Sequence, residues 1–600
     1  MIDEDDFSVN PSLNKAVCSE MTAKINRRAM LQISAAGLSS MAVSANAKKK
    51  SSSSKTSFLP FNEAVVSQGA DIKLANGFSY ESIISFGDPL KPGMQAFDPK
   101  KLTGKEQQNR FGGAADFTHF FQDKKDPGKG ILCVNNEFPE FGEHPNKKER
   151  ELAAYYSVGC SVVALKKQGS TWTVDINSSL NRKVTPVTKA LITGPAAGNP
   201  RLKNSSSPDG IQSAGTLGNC AGGFTPWGTY LTCEENIQSY FTGDTKKHSE
   251  AANMKRFGLK GKGNFFSKYD KRFDLQSDSQ SPLHFGWVVE IDPYSPDAPV
   301  RKHSMLGRAK HECAEMTIDK NGHAVVYTSD DQAFEYLYKF VSEEKYIAGN
   351  REHNLKLLEK GTLYAAQFKE DGTMKWLPLV HGQGPLTEKN GFKSQGDLLL
   401  DTRSAADAVG ATPMDRPEDI SVNPKDGKVY FLMTGNKSRK PDQLNSANKV
   451  VRGSGHIIEL SADHHSDTAK WDFLVICGQD LADDTNSKFH PDTSFPGRFV
   501  YPDNSTFDPD GEFWICSDGY GFPGFSDGLW HCGIEGNRGL SKRLATAPKG
   551  SEFTGPCFTQ DGKGLFLSVQ HPKSFPNGSF PDFNHLKARS GVIIITRENS

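Results

Sequence analysis

Apolar residues in this chain fall in short runs set off by turns, and six of these runs share one form. In each, a turn bearing glycine leads into the run and acidic or amide residues end it. The runs are Ile131–Val134 closing on Asn135-Asn136-Glu137, Thr229–Cys233 closing on Glu234-Glu235-Asn236, and His323–Ser329 closing on Asp330-Asp331. Three more are Lys428–Thr434 before Gly435-Asn436, Glu512–Ser517 before Asp518, and Lys563–Val569 before Gln570-His571. Runs this short, bounded by turns, predict buried strands. Their recurrence predicts a radial or solenoid array.

The expected fold is all-β, a six-bladed β-propeller with long loop insertions. Insertions are required because the glycine turns stand much farther apart than the roughly 45 residues of one blade. Thr242–Asp270 and Lys437–Asn448 read as exposed loops, and Glu343–Leu358 as a short helix with a narrow apolar face.

A preceding strand completes each repeat, and it too opens on polar groups. The stretches are Cys220-Ala221-Gly222-Gly223, His311-Glu312-Cys313, Arg416-Pro417-Glu418-Asp419, Pro502-Asp503-Asn504 and Glu552-Phe553. The innermost strands of a propeller line one channel, so Cys220, Glu312, Glu418, Asp503 and Glu552 are expected to converge. Carboxylates gathered in one funnel repel one another and persist only if protons, arginines or metal ions neutralise them. Calcium suits a set of oxygens, whereas a thiolate among them calls for a softer metal such as iron. The plain alternative for Cys220 is one more buried thiol. Asp426, Asp510 and Asp561 fit surface turns, a reading that suits the adjacent pairs Glu234-Glu235 and Asp330-Asp331 poorly.

Composition narrows the class. The 600 residues are 36% hydrophobic and carry 71 basic against 71 acidic side chains, which allows a large core and gives no electrostatic case for nucleic acid. Asn26-Arg27-Arg28 opens a mildly apolar stretch that reaches Ala45-Asn46-Ala47, the pattern of a twin-arginine export signal over residues 1–47. Residues 48–57 form a Lys/Ser linker, and 58–600 form one domain. No other stretch is long and apolar enough to span a membrane, so an exported soluble protein without membrane insertion is expected, in the periplasm or secreted. Ten cysteines are spread thinly, and Cys133, Cys233 and Cys516 sit inside apolar runs, so few disulfides are expected.

The stretch from Asn219 to Asn236 closely resembles the signature of the PhoX-type alkaline phosphatases. Further matches, in the same order, are Phe285–Pro293, Leu306-Gly307-Arg308 with His311-Glu312, Glu335-Tyr336 with Tyr338–Val341, Met414–Glu418, Pro502-Asp503-Asn504 and Gln570-His571-Pro572. The resemblance implies an exported phosphomonoesterase on a six-bladed propeller, using ferric iron and calcium; a monomer is expected. By motif it makes Cys220, Glu312 and Glu418 iron ligands and gives Arg416 a grip on the phosphate, its planar fork matching two oxygens. Glu234, Glu235, Asp330, Glu335, Asp503 and Glu552 become candidates for calcium or supporting roles. The nucleophile is expected to be a metal-bound oxygen rather than a side chain. The chain departs from the family pattern at Asn136 and Asn199, where histidine is usual, and at Ala114 and Ala115, where amides are usual. Two other readings stay open: a non-catalytic calcium-binding propeller, and a propeller hydrolase of the lactonase kind.

Overall fold

The computed structural model describes residues 58–169, 171–461, 463–478, 486–519, 526–575, 578–583 and 587–598. The export signal and the linker precede Phe58 and lie outside them. Six antiparallel hairpins organise the chain. They are β1 (Ala115–Gln122) with β2 (Lys129–Asn136), β3 (Asn219–Phe224) with β4 (Tyr230–Glu234), and β5 (His311–Ile318) with β6 (His323–Asp330). The others are β7 (Pro417–Val422) with β8 (Val429–Met433), β9 (Pro502–Phe507) with β10 (Phe513–Ser517), and β11 (Glu552–Phe558) with β12 (Gly564–Gln570).

The first strand of each hairpin packs against the first strand of the next, and β11 packs back on β1. The second strands extend outward into sheets. The third and fourth hairpins share one ten-stranded sheet, joined where Thr373–Pro378 pairs with Thr468–Cys477. The N-terminal part of the domain supplies outer strands to the last two sheets: Lys73–Leu74 pairs with Ser541–Thr546, and Phe78–Ser85 with Gly591–Arg597. Flanked on both faces, the second strands are buried nearly from end to end rather than alternately, and all of Val429–Met433 and Phe513–Ser517 is buried.

One irregularity recurs. In β1 the register passes from Ala115↔Asn136 to Thr118↔Val134, so Asp116 and Phe117 oppose a single residue. The same slip falls at Cys220-Ala221, Glu312-Cys313, Glu418-Asp419 and Asp503-Asn504. An extra residue bends a strand and re-aims a side chain, which is why such bulges gather at functional sites. In β11 the slip leaves Gly555 and Pro556, with Gly555 at φ 53°. A Cβ there would lie 2.3 Å from the Thr118 backbone nitrogen, so the sixth position of the ring closes on bare backbone.

Two expected loops differ. Within Thr242–Asp270, helix Ala251–Phe257 and a short 3-10 turn bury Met254, Phe257, Leu259 and Phe266, because the aromatic side chains make a small core of their own. Glu343–Leu358 is not one helix: strand Leu337–Lys345 takes its start, and only Arg351–Asn354 is helical. Arg439, inside Lys437–Asn448, is buried against Asp415. The nine described cysteines are free thiols. No helix among the described residues is long and apolar enough to cross a membrane.

Candidate functional site

The first bulged residue of five of the six inner strands builds the site: Asp116, Cys220, Glu312, Glu418 and Asp503. A second row comes from the residue just past each second strand: Glu137, Glu235, Asp331 and Asp518, with Thr434 at the fourth hairpin. Ligand atoms of Asp116, Glu137 and Cys220 lie within 4.8 Å of one another, as do those of Cys220, Glu235 and Glu312, and those of Glu312, Glu418 and Asp503. Cys220 and Glu312 each belong to two groups, so the three sites run together. The Cys220 Sγ stands 3.4 Å from Asp116 Oδ2 and 3.3 Å from Glu312 Oε1. Asn135 steadies the bulge by donating to the Cys220 and Ala221 carbonyls at 2.6 and 2.9 Å.

Charge sets the character of the centre. Burial, and then Glu418, Glu235 and Asp503, push the Glu312 carboxyl far above its usual range. Glu418 and Glu235 rise through burial and Asp331, and Asp503 through burial and Asp518. Asp116 is pushed up to about 6 by burial, and the Cys220 thiol well up by burial, Asp116 and Glu137. Asp116 Oδ1 and Glu312 Oε2 are buried without a hydrogen-bond partner. Buried acids that raise one another's pKa, with orphaned oxygens, fit a cation.

Two basic groups border the acids. Arg416 holds Asp331 through Nε and Nη2 at 3.0 and 2.7 Å and reaches Glu418 Oε1 at 3.2 Å, with its side chain 38% exposed at the mouth. Its φ of 41° is a left-handed conformation that costs a non-glycine residue about 1–3 kcal/mol. Lys310, buried and pushed down to about 8 by desolvation and Arg403, is drawn back up by Glu235 and Asp331. On the far side, Gln570 donates to Asp116 Oδ2 at 2.8 Å and to Glu137 Oε2 at 3.3 Å, and Asn236 donates to Glu235 Oε2 at 2.6 Å.

Of the residues singled out from sequence, Cys220, Glu312, Glu418, Asp503, Glu235 and Arg416 come together. Glu552 stands beside them, its carboxyl raised by burial, Asp518 and Asp503. Glu234, Asp330 and Glu335 do not join. Glu234 is held by Lys302 at 2.7 Å, both side chains at 0% exposure, and accepts from the Gly286 and Trp287 amides. Asp330 is gripped by both arms of Arg403, and Glu335 by Arg256 at 2.9 Å. Each of the three therefore has its own cation. Asn199 caps a turn at Arg201 and donates to Asp397 rather than facing the acids. Asn136 accepts from Ser161 and from Lys183 at 2.6 and 2.7 Å, and Ala114 and Ala115 are buried in the turn into β1. Asp116, Glu137 and Asp518 join the site although no motif marks them as ligands; the signal for the last two is that they stand among the polar residues closing the first and fifth runs.

An all-β scaffold that gathers acids and a thiol around one ring defines a class, the cation-holding hydrolytic centre. Among solved structures, Pseudomonas fluorescens PhoX in complex with vanadate, a transition state analogue, is 33% identical, with a TM-score of 0.84 over 90% of this chain and 98% of that one. A Dyadobacter fermentans protein of unknown function covers 87% of this chain and 100% of its own at 10% identity, with a TM-score of 0.39. Among curated proteins none matches. Residues 59–573 match the family Alkaline phosphatase PhoX, and the chain belongs to that family. It is a phosphatase, and its reaction is hydrolysis of small phosphate esters.

Proposed function

We propose that this phosphatase is an exported phosphomonoesterase whose ring holds iron and calcium, and that the ring is the axis of a six-bladed propeller. The observation that carries the metal reading is the meeting of Asp116, Cys220, Glu312, Glu418 and Asp503 at equivalent bulges, with orphaned oxygens on Asp116 and Glu312. Cys220 with Glu312 and Glu418 would hold the softer ion, because a thiolate suits iron. Asp503, Asp116, Glu137 and Glu235 offer the oxygens calcium prefers. Such cations, when bound, offset the mutual repulsion, polarise phosphoryl oxygens and acidify water at the site.

The protein's own groups have distinct parts. Arg416, turned across the mouth by its left-handed backbone, would orient the phosphate through its fork while Asp331 fixes that fork in place. Lys310 adds positive charge beside Glu235 and Asp331. The six hairpins in ring order support the propeller reading. The Arg27-Arg28 stretch supports twin-arginine export, with cleavage after Ala47.

The test joins metal content to hydrolysis of p-nitrophenyl phosphate by the purified mature chain, with Cys220→Ala in parallel. Iron and calcium bound to the native protein, and iron lost from Cys220→Ala with its activity, are expected. A native protein that takes up no iron and hydrolyses nothing with both metals supplied would overturn the proposal.

A further inference from the structure

Beside the acidic ring lies an open cavity of about 470 Å3 that the chemistry described so far does not use. Its lining includes Phe334, Tyr336, Arg256, Glu335, Asp407 and Arg439. Two short segments tie it to the mouth. Phe334 N donates to the Met414 carbonyl at 2.8 Å, and Met414 N donates to the Glu335 carbonyl at 2.9 Å. The first segment begins at Asp331 and the second ends at Arg416, and these two side chains are paired at 2.7 Å. The cavity wall therefore continues, within three residues of chain, into the pair formed by Asp331 and the arginine that would orient the phosphate.

Phe334 has a φ of 71°. A bulky residue in the left-handed region is an outlier, and such strain collects at ligand clamps. The Arg439 guanidinium lies 4.9 Å from the centre of its ring, and Arg439 is itself buried and paired with Asp415. The ring is thus braced from behind in a costly conformation.

The charges of the lining are spent on one another. Arg256 binds both Glu335 and Asp407, and Asp407 also accepts from the Tyr336 hydroxyl at 2.6 Å. A second phosphate would find no free cation there. An uncharged planar ring would find an aromatic face and a polar floor.

Resting on the phosphatase reading, we propose that this cavity is the leaving-group subsite, and that Phe334 stacks on a planar ring carried by the ester, as in a nucleoside 5′-monophosphate or an aryl phosphate. Phe334 is then a specificity residue: it selects among esters by the alcohol they release.

The test compares kcat/KM for adenosine 5′-monophosphate and for glycerol phosphate in the metal-loaded protein. Phe334→Gly removes the ring while suiting the left-handed backbone, and the strain it relieves offsets the packing it loses. Its ratio of nucleotide to glycerol ester should fall by about tenfold or more, chiefly through a higher KM for the nucleotide. Phe334→Tyr should keep the ratio. A ratio unchanged in Phe334→Gly, or lost equally in Phe334→Tyr, overturns the subsite while leaving the phosphatase intact. A native protein inactive on both esters overturns the phosphatase reading and the subsite with it.

Discussion

Glu234 and Glu235 are neighbours of identical chemistry, yet they lead different lives. Glu234 closes β4 opposite Asn219 and turns into the protein, where Lys302 and two backbone amides meet it. Glu235 turns to the ring and faces Asp331; burial raises both carboxyls, but Lys302 draws Glu234 back while Asp331 drives Glu235 further up. Asp330 and Asp331 repeat the division, with Arg403 taking the first. The first member of each pair is a fixture of the fold, already neutralised. Of the second members, Glu235 is left wanting charge at the ring, whereas Asp331 takes Arg416, which it shares with Glu418. An acid's role here is decided by which way one backbone step turns it.

The largest expected effect lies in the ring. Glu312→Gln should lower kcat/KM by about 10²-fold or more and reduce bound metal, with the far-ultraviolet circular dichroism unchanged. Equal metal content in the variant would break the distinction. Next, Glu234→Gln should destabilise the protein by about 3–5 kcal/mol in denaturant unfolding, because Lys302 is left buried with a weakened partner. Glu235→Gln should leave the metal-free protein as stable or firmer, since it removes a repelling charge. Reversed results would show that the pairs had been assigned the wrong way round.

Removing the metals sharpens the same contrast through pH. Asp116, pushed up to about 6 when buried, titrates near its ordinary value of 3.8 when unfolded. Between these values the folded state binds more protons, so unfolding free energy should fall as pH rises from about 4 to above 6. The chelated protein should therefore melt higher at pH 4.5 than at pH 7, a trend that added calcium and iron should abolish. A smaller effect is expected in the first hairpin, where Asn136 occupies the place of Glu234 and Asp330, opposite Lys183. Burial pushes Lys183 from its ordinary 10.5 down to about 7, so its cost to stability builds up as pH falls from about 10.5 to about 7 and stands in full below that. Asn136→Asp should supply the missing counter-charge and raise stability at pH 6 by about 1–2 kcal/mol.

Much of this was legible in the sequence. The runs marked the second strands, and the motifs around Cys220, Glu312, Glu418 and Asp503 marked the positions that share a bulge. Register was not legible: an extra residue in a strand leaves no trace in composition, so nothing distinguished Glu234 from Glu235 or Asp330 from Asp331. Glu335 sits four residues past Asp331, but the arginine that holds it comes from the helix at Ala251–Phe257. That helix was hidden in a stretch whose lysines and glycines suggested an exposed loop. Sequence could show which residues were acidic, but a cation folded in from elsewhere determined which of them were spoken for.

The pairing of Phe78–Ser85 with Gly591–Arg597 bears on when the enzyme becomes an enzyme. The last sheet takes its outermost strand from the front of the domain and the rest from its very end, so it cannot form on a half-made chain. Contacts of such sequence separation close late. Loading of the centre is thereby a report on completed synthesis: a truncated product would carry most of the acids and still lack the enclosure that gives them a pocket.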